Sequence, residues 1–213
     1  MKGILYFPHF YDLLYFFASS IFPYLHLARH VELSLLSRND ANEALESAFR
    51  ENAGLSIGTG GMQRLLQASC GHPYLLQLLG YYLITLANEY SGGESYLIKP
   101  DEAEKITNMA QSAYEERALR PLLDELSPKE REYLAALARS LDDKREARTA
   151  EVAMRLGREP GKVGYLRESL IRNGIVIAST HGKLMFNIPY LADYVLKDGG
   201  VNKNLQRLRE WRV

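Results

Sequence analysis

The side chains best able to do chemistry are scattered along this chain. Its five histidines, His9, His26, His30, His72 and His181, are dispersed, and Cys70 is the single cysteine, so no closed zinc set is spelled. His26 and His30 share a helical face four residues apart, but no acidic residue stands between them in the HExxH register of a metalloprotease. There is no Gly-x-Ser-x-Gly elbow. Paired carboxylates fall only in stretches that read as exposed helices, where solvation is the ordinary explanation. The expectation is a chain with no catalytic residue, no metal site and no enzymatic activity of its own.

Phosphate chemistry finds no better footing. A P-loop needs GxxxxGK[ST], because backbone N–H groups and a lysine must converge on the phosphates. The glycine-rich run at 58–61, GTGG, is followed by no such lysine, and no third glycine sits at the offset a dinucleotide fold requires. It reads as a turn linking two helices.

Residues suited to contacting nucleic acid gather instead within 127–189. Arg158 and Lys162 stand at the start of a helix expected over about 160–173, where positive charge and helix N–H groups suit phosphate. One face of that helix carries Val163, Leu166 and Leu170, and the opposite face carries Gly161, Tyr165, Glu168 and Arg172 with Lys162 at its flank. His181 and Lys183 fall in the turn of a short hairpin, placing a second phosphate contact at its tip.

The elements that must position these residues follow from local signals. Ser127 and Pro128 open a helix with Tyr133, Leu134 and Leu137 inward. A solvated charged loop over 142–148 precedes a short helix capped by Thr149, with Val152, Ala153 and Leu156 inside and Gly157 as the turn. The helix over 160–173 ends at Gly174, and strands over 175–177 and 184–186 close the run. Three helices followed by a hairpin spell a winged helix-turn-helix, whose second helix of the pair enters the major groove. Glu159 and Glu168 offset part of the charge, and winged helices also dock proteins, so duplex DNA and a protein partner or self-association both remain open.

Upstream, residues 31–100 read as a small helical bundle. Ser37 or Asn39 caps a first helix with Ala41, Ala44, Leu45, Ala48 and Phe49 on one apolar face. A short helix ending at Gly71 carries Met62, Leu65 and Leu66, and Pro73 opens a longer one with Leu75, Leu76, Leu79, Tyr82, Leu83 and Leu86 as a buried stripe. A helix over 101–126 connects this bundle to the winged helix. The fold class is therefore mainly α, a helical bundle followed by an α+β winged helix over 127–198.

Composition bounds the partners. With 213 residues, a net charge of zero and 46% hydrophobic content, the chain is an ordinary globular one with no global field toward nucleic acid or anionic lipid. The lone cysteine favours a reducing compartment, hence the cytoplasm. Residues 1–30 are apolar and aromatic but broken by Pro8, His9, Asp12, Pro23 and His26. They fit a buried remnant of a larger domain, a membrane-associated segment or a signal sequence. The end, 199–213, follows Gly199 and Gly200 and reads as a basic amphipathic tail.

The run LSLLSRNDANEAL followed by SCGHPYLLQLLGYYL resembles the helical lid of prokaryotic AAA-type ATPases related to the STAND class, where a Gly-x-Pro element opens the last lid helix. The pieces LSPKEREYLAALA, VAMRLGRE, LRESLIRNGIV and GKLMFNIPYLADYV are similar to the winged helix that ends those proteins. The resemblance covers roughly 31–196 and implies a regulatory or output portion whose ATP and Mg sit in a core domain. Here neither the phosphate loop nor an acidic strand occurs, so residues 4–22 are expected as the last remnant of that core and the chain as a truncated product. Gly71, His72 and Pro73 would edge an adenine only beside such a core; otherwise they start a helix with His72 as a surface polar residue. The alternative is a free-standing winged-helix transcription regulator with a helical sensing or dimerisation domain.

Overall fold

The computed structural model describes residues 35–51, 55–91, 96–180 and 182–197. The apolar segment 1–30, His181 and the basic tail 199–213 lie outside them, as do the expectations attached to each. The described chain is mainly helical with two small sheets.

Helix α1, Arg38–Glu51, begins after Ser37, whose hydroxyl accepts the Asp40 N–H at 3.1 Å, so Ser37 rather than Asn39 is the cap. Among the side chains described in it, Ala41 and Leu45 are buried, whereas Ala44, expected on the same face, is exposed. Strand β1, Leu55–Ile57, then leads directly into α2, Thr59–Ser69, with Gly58 as its N-cap. The GTGG run is thus a strand-to-helix junction and not a turn between two helices. Gly61 is needed for packing there, since a Cβ would come within 2.8 Å of the Ile57 side chain.

Helix α3, Pro73–Ser91, buries Leu75, Leu76, Leu79, Leu83 and Leu86, with Leu78 and Ala87 widening the stripe; Tyr82 is only half-buried. Strand β2, Tyr96–Ile98, pairs in parallel with β1, Leu55 opposite Tyr96 and Ile57 opposite Ile98. The upstream unit is therefore a bundle with a two-stranded ribbon. Three-residue strands such as LSI and YLI carry too little alternation to be read from sequence.

Helix α4, Pro100–Tyr114, starts where the Glu102 carboxylate accepts the Lys99 N–H at 2.8 Å and the Tyr96 hydroxyl. It packs most extensively against α2 and α3 and buries Ala103, Ile106 and Ala110 between them. The segment expected as a connector therefore supplies part of the bundle's core. It runs on through a π-helical turn, Glu115–Leu119, into α5, Arg120–Glu125. Pro121 explains the turn: it has no N–H, and in a regular helix its ring would press on the Arg117 carbonyl. Widening the ladder, so that the Arg120 N–H reaches the Glu115 carbonyl, relieves that contact without ending the helix.

Helix α6, Pro128–Arg139, is buried continuously from Tyr133 to Ala138 and forms the centre of the C-terminal unit. Around it pack α7, Thr149–Arg155, α8, Pro160–Arg172, and α9, Leu191–Lys197. Strands β3, Ala147–Arg148, β4, Val176–Ala178, and β5, Lys183–Phe186, form an antiparallel sheet in the order β3-β5-β4. The stretch 142–148 is more ordered than a solvated loop. Asp142 accepts the Lys144 and Glu146 N–H groups, each at 2.9 Å, and Ala147 is buried opposite Leu184. Thr149 is the first residue of α7, and its N–H is held by the Gly182 carbonyl at 2.9 Å.

The core of this unit comprises Leu134, Leu137, Val152, Val163, Leu166, Leu170, Val176, Leu184, Leu191 and Val195, all at most 4% exposed. Each such side chain contributes about 1.5–3 kcal/mol of transfer free energy, which is what fixes the helices around the sheet. Leu196 on α9 is 43% exposed, beside the buried Val195. No helix among the described residues is long and apolar enough to cross a membrane.

Candidate nucleic-acid interface

Helix α8 presents the face the sequence assigns to it. Pro160 occupies its first turn, where the missing N–H costs nothing, and Val163, Leu166 and Leu170 anchor the inner side at 3%, 4% and 0% exposure. Gly161, Lys162, Tyr165, Glu168 and Arg172 all lie exposed, with Tyr165 at 54%. Arg158 is exposed ahead of them, in a turn made possible by Gly157 at φ 64°. Arg158, Lys162, Tyr165 and Arg172 therefore sit together along one helix and the turn before it.

The charge on this face is modest. Lys162 lies 3.8 Å from Glu159, an exposed contact that solvent screens and that a phosphate can displace. Glu168 stands 3.8 Å from Arg167, a half-buried residue whose Nε has no hydrogen-bond partner. Three cations, Arg158, Lys162 and Arg172, thus face two carboxylates, Glu159 and Glu168.

Lys183 is placed differently from the expectation. Its ammonium lies 2.8 Å from Glu146 and 3.7 Å from Asp142, and its side chain is 28% exposed. The Glu146 hydrogen bond holds the ammonium above the usual lysine range, and Asp142 adds to the effect. It ties the start of β5, next to the hairpin turn, to the turn before β3 and is not presented as a free cation. The signal for this pairing was present in DDKREAR, but the partner lies 37 residues downstream.

Gly71, His72 and Pro73 form the junction between α2 and α3. Gly71 sits at φ 69°, and its carbonyl accepts the Leu36 N–H at 2.8 Å. His72 is not a surface polar residue. Its ring meets Tyr114 edge-on at 5.5 Å, its buried Nδ1 has no hydrogen-bond partner, and burial holds the imidazole below its ordinary pKa. Pro73 is exposed, and these three residues are far apart in the fold's logic from α8: they close a helix pair, whereas α8 offers a surface. Among the described residues no group of His, Cys, Asp or Glu is arranged to hold a metal ion.

Two features escaped the sequence pattern. Met154 on α7 is 75% exposed, adding an apolar side chain to the outer surface of the helix pair. Tyr190, at the start of α9, donates its hydroxyl to the Ala68 carbonyl at 2.8 Å. Nothing local to either residue announces that contact.

Residues 116–195, less than half of the chain, are similar to a family described only as a domain of unknown function (DUF8462). The matched stretch opens inside the π-turn and closes within α9. No curated protein matches the chain.

Proposed function

We propose that residues 127–197 are a winged helix that binds duplex DNA through α8, and that the chain is the lid-and-output portion of an AAA/STAND-like ATPase. The single observation carrying the DNA reading is the separation of faces on α8, apolar residues fully inside and Lys162, Tyr165, Glu168 and Arg172 fully outside. A helix braced in that way can enter a major groove without disturbing its own core. Lys162, Arg158 and Arg172 would contact phosphate or guanine, Glu168 would accept from a cytosine amino group, and Tyr165 would pack on bases or sugar. The order of elements, helix, short strand, two helices and a hairpin returning to that strand, supports the winged-helix reading.

On this reading the chain has no ATPase activity of its own and works in the cytoplasm. ATP and Mg would be held by a core domain, with Gly71, His72 and Pro73 beside the nucleotide only when that core is present. The half-buried state of His72 supports a structural part for it in the chain alone. The exposure of Met154 and Tyr165 favours a second reading, in which the same face docks a protein.

Duplex binding by fluorescence anisotropy decides between them. Affinity should fall steeply with salt, and Lys162→Ala with Arg172→Ala should each weaken binding by about 1–3 kcal/mol. Absence of any binding at about 50 mM salt would overturn the DNA reading and leave the protein-docking one.

A further inference from the structure

Helix α4, the π-turn and α5 run on as one continuous helix over 100–125, and one side of it faces solvent along most of its length. Its inner side is fixed by the buried Ala103, Ile106, Ala110 and Leu119. Opposite them Asp101, Lys105, Met109, Ser112, Glu116 and Arg120 are all exposed, at spacings of four, four, three, four and four residues. Such spacings place them in a single row. The π-turn does not throw Arg120 off that row, since its guanidinium reaches the Glu116 carboxylate at 3.0 Å.

Beside the row lies a recess of about 560 Å3 between α3 and α4, lined in part by Tyr82, Met109, Ser112 and Ala113. Met109 is 45% exposed at its edge, and Tyr81, at 60%, stands edge-on to Tyr82 with ring centres 5.1 Å apart. The middle of the row is thus apolar, and its two ends are charged.

Those charges are self-complementary on reversal. Read forward, the row is anion, cation, Met109, Ser112, anion, cation; read backward, every charge changes sign. The pairs Asp101 with Arg120, Lys105 with Glu116, and Met109 with Ser112 share one midpoint, between residues 110 and 111. A second copy of this helix laid antiparallel on that midpoint meets each charge with its opposite. It also sets each Met109 against the small Ser112 at the mouth of the recess. A two-fold contact has this property, residue i meeting j while j meets i. Docking of an unlike chain calls for no such symmetry.

We propose that this face is a two-fold homodimer interface, in which the helices over 100–125 of two copies pack antiparallel about residues 110 and 111, each Met109 entering the recess of the other copy. Helices crossing at a shallow angle stay in contact over several turns, which carries both charged pairs on either side of the centre. Glu116 and Arg120 are well exposed, so their mutual bond is screened by solvent and is exchanged for intermolecular ones at little cost. The charges set orientation and register, while Met109 and the tyrosine pair supply the burial. The interface uses no residue of α8 and holds whether α8 reads DNA or a protein.

Sedimentation of the whole chain in the absence of DNA tests it. The parent should pass from a monomer of 24.2 kDa to a species of twice that mass as concentration rises. Lys105→Glu and Glu116→Lys each set like charges together twice across the two-fold, and each should raise the dissociation constant about tenfold or more. The two substitutions combined restore opposite pairs and should recover the parent's value, which damage to the fold would not produce. Met109→Asp, also at an exposed position, should abolish the dimer while circular dichroism shows the helix content kept. A parent that stays monomeric up to about 100 µM would overturn the proposal. So would a dimer left intact by both Lys105→Glu and Met109→Asp, since the contact would then lie on another face. A combined variant no tighter than the single ones would overturn the antiparallel register.

Discussion

The Tyr190 hydroxyl and the Ala68 carbonyl meet at 2.8 Å across a sequence separation of 122 residues, and this bond ties the residue that opens α9 to the end of α2. The Tyr190 phenol is correspondingly weakened as an acid: burial raises its pKa first, and the neighbouring Cys70 thiol raises it further. The surrounding geometry leads to four further expectations.

Gly71→Ala should be disproportionately destabilising for so small a change. The residue sits at φ 69°, and an added Cβ would lie 2.6 Å from the Leu36 backbone oxygen, which cannot rotate away. Left-handed strain and the displaced Leu36 contact together should cost about 1–3 kcal/mol. Urea unfolding midpoints of the two proteins measure it; a loss below about 0.5 kcal/mol would mean that Leu36 moves freely.

Glu130 joins two helices at the start of α6. One carboxylate oxygen accepts the Ser127 hydroxyl at 2.7 Å and the Ser127 N–H at 2.9 Å, while the other accepts the Ser169 hydroxyl of α8 at 2.7 Å. Partial burial pushes its pKa up, but the hydrogen bonds from Ser127 and Ser169 outweigh that and leave it below the ordinary glutamate value. A depressed carboxyl stabilises the fold above the unfolded pKa, and this contribution is lost as pH falls through the folded one. Glu130→Gln should cost about 1 kcal/mol at neutral pH, as expected for a solvent-screened capping box, and should flatten part of the acid limb of Tm against pH.

His72 gives the same proton balance in a higher pH window. Burial lowers its pKa below 6.5, so the folded protein holds it neutral while the unfolded chain takes up a proton. Its contribution is complete above the unfolded pKa and declines as pH falls from there toward the folded value. His72→Phe, which keeps an aromatic ring against Tyr114, should remove this slope from the Tm profile between about pH 5 and 7. An unchanged slope would assign it to another group.

Lys183→Met separates a structural lysine from a binding one. The substitution leaves Glu146 and Asp142 without their shared cation at the base of the β3–β5 pair and should lower Tm. Duplex affinity of the folded variant should change little, in contrast to Lys162→Ala. A drop in affinity matching that of Lys162→Ala would return Lys183 to the interface.

Much of this organisation was legible locally. The caps at Ser37 and Ser127, the proline starts of α3, α6 and α8, and the inner rows Leu75-Leu79-Leu83 and Val163-Leu166-Leu170 follow from spacings of three and four residues. So did the outward row of α8 that carries the proposed function. Less was legible where the signal was short or shared. The strands LSI and YLI are too brief to show a period, and Ala44 and Leu196 fit a helical apolar face yet stand outside it, because only the neighbours decide which edge of a face is covered.

The amino-acid order by itself determined the helices and the direction of their apolar faces, because those depend on contacts within a few residues. The tertiary structure alone decided which polar groups are free. It paired Lys183 with Glu146, turned His72 inward against Tyr114 and brought Tyr190 to the Ala68 carbonyl. Such pairings link residues tens to more than a hundred positions apart, and they exist only once hydrophobic burial has fixed the relative placement of the helices that carry them.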